Sequence, residues 1–229
     1  AFGDQCEKCG STLSPEELLK DTEVLVINNP VNVRNSPEKL LVTHFSGLAP
    51  PTLISANRRQ ISIFREKHKD IIIKPLYGNG GAEVFHIKPG DENLSSLLDM
   101  FFVKYREPII TQKYLPDVRS GDKRIILVDG KPAGGVLRVP MEGDSRANFH
   151  AGGEAQKTEL TKREKEICLS IGPTLSQLGL LFVGIDIIGD YLTEINVTSP
   201  TGIQEINRLD GIHIEKLVWN AIETQIDAP

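Results

Sequence analysis

The chain has 229 residues, 39% of them hydrophobic and 25% charged, which suits one large domain or two lobes with a substantial core. A net charge of -5 and a pI near 5.6 argue against a dedicated nucleic-acid binder, and no apolar run approaches the roughly 20 residues that a membrane-spanning helix needs. Three cysteines form no disulfide framework and no basic, then apolar, leader opens the chain, so a reducing, cytoplasmic setting is expected.

In chain order, residues 1–21 look unlike the rest. Their Cys6-x-x-Cys9 is half of a zinc knuckle, and such sites normally need four ligands. The remaining cysteine, Cys168, lies far away at helical spacing with Ile167, Ile171 and Leu175 and reads as core. The first segment is therefore expected to be a tail, with Ser14 capping a short turn that starts at Pro15. Strands and helices then alternate. EVLVIN (23–28) predicts a strand; SPEKLLVTH (36–44) predicts a helix capped by Ser36 with Pro37 at its first position; residues 59–69 predict another helix. Strands follow at 71–75 and in AEVFHI, then a helix at 93–105, then strands at 108–113, 123–128 and 133–138, the last two joined by a turn at Asp129-Gly130. A long helix is expected at 161–178, a hairpin at 183–197 and a terminal helix at about 211–226. Many antiparallel signals among mixed elements imply an α+β fold of two lobes, divided near residues 22–110 and 111–229.

Three stretches carry chemistry. In IIIKPLYGNGGAEV (71–84), Lys74 ends a β-branched run and Gly78, Gly80 and Gly81 follow it. Glycines let backbone N–H groups approach an anion closely and the lysine adds a fixed charge, which makes a phosphate cradle. The lysine precedes the glycines, so this is no Walker A loop; a plain glycine-rich hairpin turn is the other reading. In FVGIDIIGDYLTEINVTSPTG, a three-residue loop at 189–191 would set Asp186 opposite Glu194 with Asn196 on the same face, while Ile185, Ile187, Ile195 and Val197 turn to the core. Two carboxylates and an amide oxygen suit a hard cation such as Mg2+ or Mn2+ that shares its remaining positions with phosphate oxygens. A solvated polar face is the alternative, although like charges facing each other destabilise a sheet without a cation between them. Arg124 and Arg138, in strand candidates, are placed to grip phosphate. Arg146 and Asn148 precede Gly152-Gly153 in a stretch too polar for a strand, where a mobile lid is expected; His150 beside them reads as a solvated loop histidine.

Together NSPEKL, IIIKPLYGNGGAEVF, QKYLPDVRSGDKRIILVDGKP, NFHAGG and GLLFVGIDIIGDYLTEINVTSPTG resemble bacterial glutathione synthetases, a family with the ATP-grasp fold, over about residues 22–225. The resemblance implies an ATP-dependent ligase that turns the carboxylate of γ-glutamylcysteine into an acyl phosphate and joins it to glycine, in the cytoplasm and as a homo-oligomer. It also implies roles. Lys39 and Lys74 match nucleotide-binding lysines; Gly78, Gly80 and Gly81 match the loop over the phosphates; Gln112, Lys113, Tyr114 and Leu115 match the interlobe strand that bonds adenine. Arg124 and Arg138 match phosphate and substrate contacts, and Asp186, Glu194 and Asn196 match the magnesium ligands. Arg146, Asn148, Ser199, Pro200 and Thr201 lie at the matched peptide-substrate site. The family carries an amino-terminal domain ahead of this region, whereas DQCEKCGSTLSPEEL resembles the zinc-knuckle segment of methionyl-tRNA synthetases. Val24 and Ile71 are accordingly expected to be exposed where that domain would cover them. A nucleotide-binding module without turnover and a zinc module are the competing readings.

Overall fold

The computed structural model describes residues 25–78, 81–141 and 152–227. Within them the chain builds two antiparallel sheets. The smaller contains β1 (Thr52–Ser55), β2 (Ile71–Pro75), β3 (Phe85–Ile87) and β4 (Ile109–Lys113) in the order β1-β4-β2-β3. The larger contains β5 (Asp122–Val128), β6 (Lys131–Val139), β7 (Glu154–Lys157), β8 (Phe182–Ile188) and β9 (Tyr191–Asn196) in the order β7-β6-β5-β8-β9. Six helices accompany them: α1 (Pro30–Asn35), α2 (Arg58–His68), α3 (Leu94–Lys104), α4 (Lys162–Gln177), α5 (Ile203–Asp210) and α6 (Ile214–Ile226). The α+β architecture anticipated from the alternation is the one observed.

Each sheet buries one face by simple alternation. In the smaller sheet Ile71, Ile73 and Ile109 turn toward α2 and α3, where they meet Ile61, Leu94, Leu98 and Phe101. Ile72, Lys74, Ile110 and Gln112 take the opposite face. In the larger sheet Ile125, Leu127, Val183 and Ile185 pack on Ile167, Cys168, Ile171 and Leu175 of α4, each fully buried side chain contributing roughly 1.5–3 kcal/mol. Ile126, Val128 and Val136 pack on Ile206 and Ile214 of α5 and α6. Arg124 shares that second face with Ile126, so α5 and α6 cover one end of it and leave the Arg124 end for other work.

Helix α4 is held by more than apolar contact. Thr161 and Glu164 form a reciprocal capping box, and Glu164 Oε2 also accepts from Lys123 Nζ at 2.8 Å in a pair that is buried on both sides. Lys123 Nζ donates in addition to the Glu159 carbonyl at 2.8 Å. The lysine thus stitches the helix start to β5 on the face opposite Arg124. Cys168 lies in this core, and burial pushes its thiol up to about 12, which fits packing rather than chemistry.

Several expectations change. Residues 25–28 form no strand; instead the Asn28 side chain continues the pairing, donating to the Phe182 and Val197 carbonyls at 2.8 Å each and accepting from Phe182 N at 2.7 Å. The expected helix at 36–44 is a turn followed by a 3-10 segment, Leu41–His44, because this stretch serves as a partner for β9: Glu38 O accepts from Ile195 N and Leu48 O from Leu192 N. The terminal helix expected at about 211–226 is α6, and an unexpected helix, α5, precedes it and ends at Gly211, whose φ of 69° lies in the left-handed region. Ile71, expected to be exposed, is fully buried under α2 and α3, while Val24 lies outside the described residues, as do Cys6, Cys9 and the turn at Ser14.

The Lys123–Glu164 pair yields a direct expectation. Glu164→Ala leaves a buried ammonium unpaired and removes the α4 cap, so urea unfolding should show a loss of about 3–5 kcal/mol, with part of it recovered in the double variant Lys123→Met/Glu164→Leu.

Candidate active site

Strands β8 and β9 turn on Gly189-Asp190, with Ile188 opposite Tyr191 and Ile187 opposite Leu192, so the loop has two residues where three were expected. Asp186 nevertheless faces Glu194, because a bulge absorbs Thr193, whose hydroxyl donates to the Asp186 carbonyl at 3.0 Å. Ile185, Ile187, Ile195 and Val197 are buried in the α4 core as alternation requires. Asn196 stands opposite Gly184.

Asp186 is the centre of a buried chain of charges. Arg124, its register partner on β5, donates from Nε and Nη2 to the two carboxylate oxygens at 2.5 and 2.9 Å, and from Nη1 to the Thr201 carbonyl at 3.1 Å. Arg138 on β6 donates from Nε and Nη2 to Asp122 at 2.5 and 2.8 Å, and its Nη2 also lies 3.0 Å from Asp186 Oδ2. Burial alone would raise the Asp186 pKa, but Arg124 and then Arg138 overcome that and hold the carboxyl well below the usual range. Burial pushes Asp122 up to about 6, against the pull of Arg138 and with the push of Asp186. Gly184 makes this packing feasible: a Cβ there would lie 2.5 Å from Pro200 Cβ and 3.2 Å from Arg124 Cδ, so only glycine lets residues 199–201 close onto the sheet beside the guanidinium. Pro200 is buried, Thr201 gives its carbonyl to Arg124, and Ser199 is exposed with φ at 42°.

The smaller sheet approaches from the other side. Lys39 Nζ bonds Glu38 Oε1 and the Gly78 carbonyl, and lies 4.0 Å from Glu194 Oε1, so one ammonium ties the glycine loop to the carboxylate hairpin. Lys74 is buried and donates to Gln112 Oε1 at 3.3 Å; Gln112 Nε2 in turn donates to Thr52 Oγ1 at 2.8 Å. Burial lowers the Lys74 pKa, and the field of Glu194 is the largest effect opposing it. Gly78 and Gly81 have φ of 120° and 72°, backbone that the bulkier residues resist. Tyr114 and Leu115 are buried in the connection from β4 to the larger sheet, and the Lys113 side chain is exposed. Gly80, Arg146, Asn148 and His150 lie outside the described residues.

Two members of this cluster escape a reading by motif. Asp122 becomes visible only once Arg138 is known to be its cross-strand partner, and Glu38, whose pKa burial and then Glu194 raise, only once the 36–48 segment is known to lie along β9.

Whether the hairpin suits a cation is a question of donors. Among the described residues no group of three or more His, Cys, Asp or Glu is arranged for a metal. Two carboxylates, Asp186 and Glu194, stand opposite each other, Asn196 shares the face of Glu194 two residues on, and its buried Nδ2 has no hydrogen-bond partner. An oxygen-only set that leaves places for a ligand's own oxygens fits Mg2+.

In sequence and in fold the chain matches known proteins. The profile described as "Prokaryotic glutathione synthetase, ATP-grasp domain" matches residues 38–211. The chain belongs to this family. The glutathione synthetase of Agrobacterium fabrum is 59% identical over 206 residues, covering 90% of this chain and 65% of the relative, and that of Mesorhizobium japonicum is 58% identical over 201 residues, 88% of this chain and 64% of the relative. The glutathione synthetase of Synechocystis is 44% identical over 209 residues. This member of the glutathione synthetase ATP-grasp family thus spans 64% to 65% of the length of the first two. Among solved structures, the ATP-grasp ligase PsnB in complex with a precursor variant, Mg and ADP superposes with a TM-score of 0.65 at 18% identity, over 93% of this chain and 67% of that one. D-alanine–D-alanine ligase from Bacillus anthracis superposes at 0.57 with 16% identity, over 82% and 66%. At those identities the likeness establishes the ATP-grasp fold of this family member and nothing narrower.

The depressed Asp186 pKa has a signed consequence. Its folded value lies below the unfolded one of about 3.9, so its stabilisation is complete above about pH 5 and declines as the pH falls. In metal-free buffer Asp186→Asn should cost about 3–5 kcal/mol near neutrality, and the gap to wild type should narrow steadily between about pH 5 and pH 3 in denaturant titrations.

Proposed function

We propose that the chain is the ATP-grasp portion of a glutathione synthetase, joining γ-glutamylcysteine to glycine with release of ADP and phosphate. The observation that carries the proposal is the convergence of Lys39, Lys74 and the Gly78 loop from one side with Asp186, Glu194 and Asn196 from the other. A carboxylate is a poor electrophile, and phosphorylation converts one of its oxygens into a leaving group. The carboxylate oxygen bonds to the γ-phosphorus of ATP as the bond to ADP breaks; the glycine amine then attacks the acyl carbon and phosphate departs. No nucleophilic side chain is needed, only cations placed around a phosphoryl group and protection of the acyl phosphate from water.

Lys39 and Lys74 serve as phosphate-binding cations, with N–H groups of the loop at Gly78, Gly80 and Gly81 beside them. The strand from Gln112 through Lys113 and Tyr114 to Leu115 receives adenine. Asp186, Glu194 and Asn196 hold Mg2+ or Mn2+, which neutralises phosphate charge when bound. Arg124 and Arg138 add positive charge at the same place and keep Asp186 ionised. Ser199, Pro200 and Thr201, with Arg146 and Asn148, serve the peptide substrate. The smaller lobe together with the linker that precedes it spans 22–110 and the larger lobe 111–229, after a tail at 1–21 in which Cys6 and Cys9 hold no zinc tightly. The family resemblance supports a cytoplasmic homo-oligomer, and no helix among the described residues is long and apolar enough to cross a membrane.

Coupled measurement of ADP release tests the reaction. Release that requires both γ-glutamylcysteine and glycine supports the ligase; ATP binding with no release under any combination would leave only a nucleotide module. Lys74→Met should reduce ATP affinity by about 1.5–3 kcal/mol, the range for a hydrogen bond to a charged group, and unchanged affinity in titration calorimetry would remove Lys74 from the phosphate site. Glu194→Gln should weaken the Mg2+ dependence of ATP binding while leaving the circular dichroism spectrum as it is.

A further inference from the structure

His86 lies on β3 across from Ile72, and Ile72 lies across from Gln112 on β4, so these three side chains share the face that carries Lys74. The imidazole is largely buried and has two specific partners. Its ring stacks on Tyr114 with centroids 3.8 Å apart and planes at 16°, and its Nε2 lies 2.5 Å from Asp70 Oδ1. Tyr114 is held from two further directions: its hydroxyl accepts from Arg119 Nε at 3.1 Å, and its amide donates to the Asp70 carbonyl at 3.0 Å. Asp70, His86 and Arg119 therefore fix one aromatic residue in the segment that leads from the smaller sheet to the larger. A lone histidine on a strand would not require this arrangement; a ring clamped between a carboxylate and a tyrosine immobilises the strand that bears the tyrosine.

We propose that His86 is a positioning residue for the nucleotide base: by stacking on Tyr114 while Asp70 orients it, it holds residues 112–115 at the register the base must meet. The inference rests on the reading of that segment as the adenine strand. Backbone groups that recognise a planar base have to be held within about 0.5 Å, and Tyr114 is the one residue of the segment with a ring available for such a clamp. His86 has no hydrogen bond or ring contact with the phosphate lysines or the carboxylate hairpin among its described contacts, and its one link toward them runs through the Gln112 bond to Lys74, so its effect falls mainly on the base.

Titration calorimetry of the full chain with MgATP and with magnesium tripolyphosphate, which has the phosphates but no base, separates the possibilities. His86→Ala should weaken ATP binding about tenfold, the upper range for loss of an aromatic pair, and leave tripolyphosphate within about twofold of wild type. His86→Phe keeps the stack without the Asp70 bond and should recover most of the loss. Unchanged ATP affinity in His86→Ala, equal weakening of both ligands, or no recovery in His86→Phe would overturn the assignment. A wild-type chain that binds tripolyphosphate but gains nothing from the base would instead overturn the adenine-strand reading on which it rests.

Discussion

Placing a carboxylate where water cannot reach it is costly, and Asp186 is held there only because two guanidinium groups meet it with good geometry. That contact reaches well beyond the residue. Arg124 ties β8 to β5 and, through the Thr201 carbonyl, to the segment that follows β9; Arg138 ties β6 and Asp122 to the same charge. Arg124 and Asp122 of β5, Arg138 of β6 and the Thr201 carbonyl of a loop thus depend on one anion of β8. The bulge at Thr193 and the bare face of Gly184 are the backbone conditions for it, the first setting Glu194 opposite Asp186 and the second admitting Pro200 and Arg124. With α5 and α6 covering the other end of this face, the charged end stays uncovered by them and turns to the smaller sheet.

Charged groups connect the two sheets. Lys39 reaches from beside β9 to the Gly78 carbonyl, and Lys74 is buried under the influence of Glu194. An ammonium in so little water is tolerable because a carboxylate, Glu194, lies within its field, and under the proposed function the same charges would meet phosphates and a divalent cation. Structural stability and the proposed chemistry draw on one set of charges. Of the buried ionisable groups, Lys39, Lys74, Arg124, Arg138 and Asp186 belong to this set, while the Lys123–Glu164 pair lies on the α4 face among isoleucine and leucine.

Much of this was readable before any coordinates. The run IIIKP is β2 to the residue, since β-branched alternation and a closing Lys-Pro leave little choice, and the hairpin at 182–196 follows from apolar residues at every second position. Cys168 as core followed from its helical spacing with Ile167 and Ile171. What escaped was set by tertiary contact. The four-residue β1 and the polar edge strand β7, EAQK, are too short or too polar to show a period. The stretch at 36–44 has good helical start signals, yet hydrogen bonds from its neighbourhood to β9 outweigh local propensity. Asp122, Glu38 and the Asp70–His86–Tyr114 cluster carry no motif because their meaning lies in cross-strand partners far apart in sequence. The two-residue turn at Gly189-Asp190 was missed for a related reason: a bulge restored the pairing that the longer loop had been invoked to explain.

The central claim is that a nucleotide with its cation fills the gap between the two sheets. Hydrogen–deuterium exchange read by mass spectrometry, with and without MgATP, tests it directly. The account predicts added protection in three separated segments, around residues 72–78, 112–115 and 184–196, with little change in α4 or α6. Protection confined to one sheet, or absent from all three segments at saturating MgATP, would contradict it.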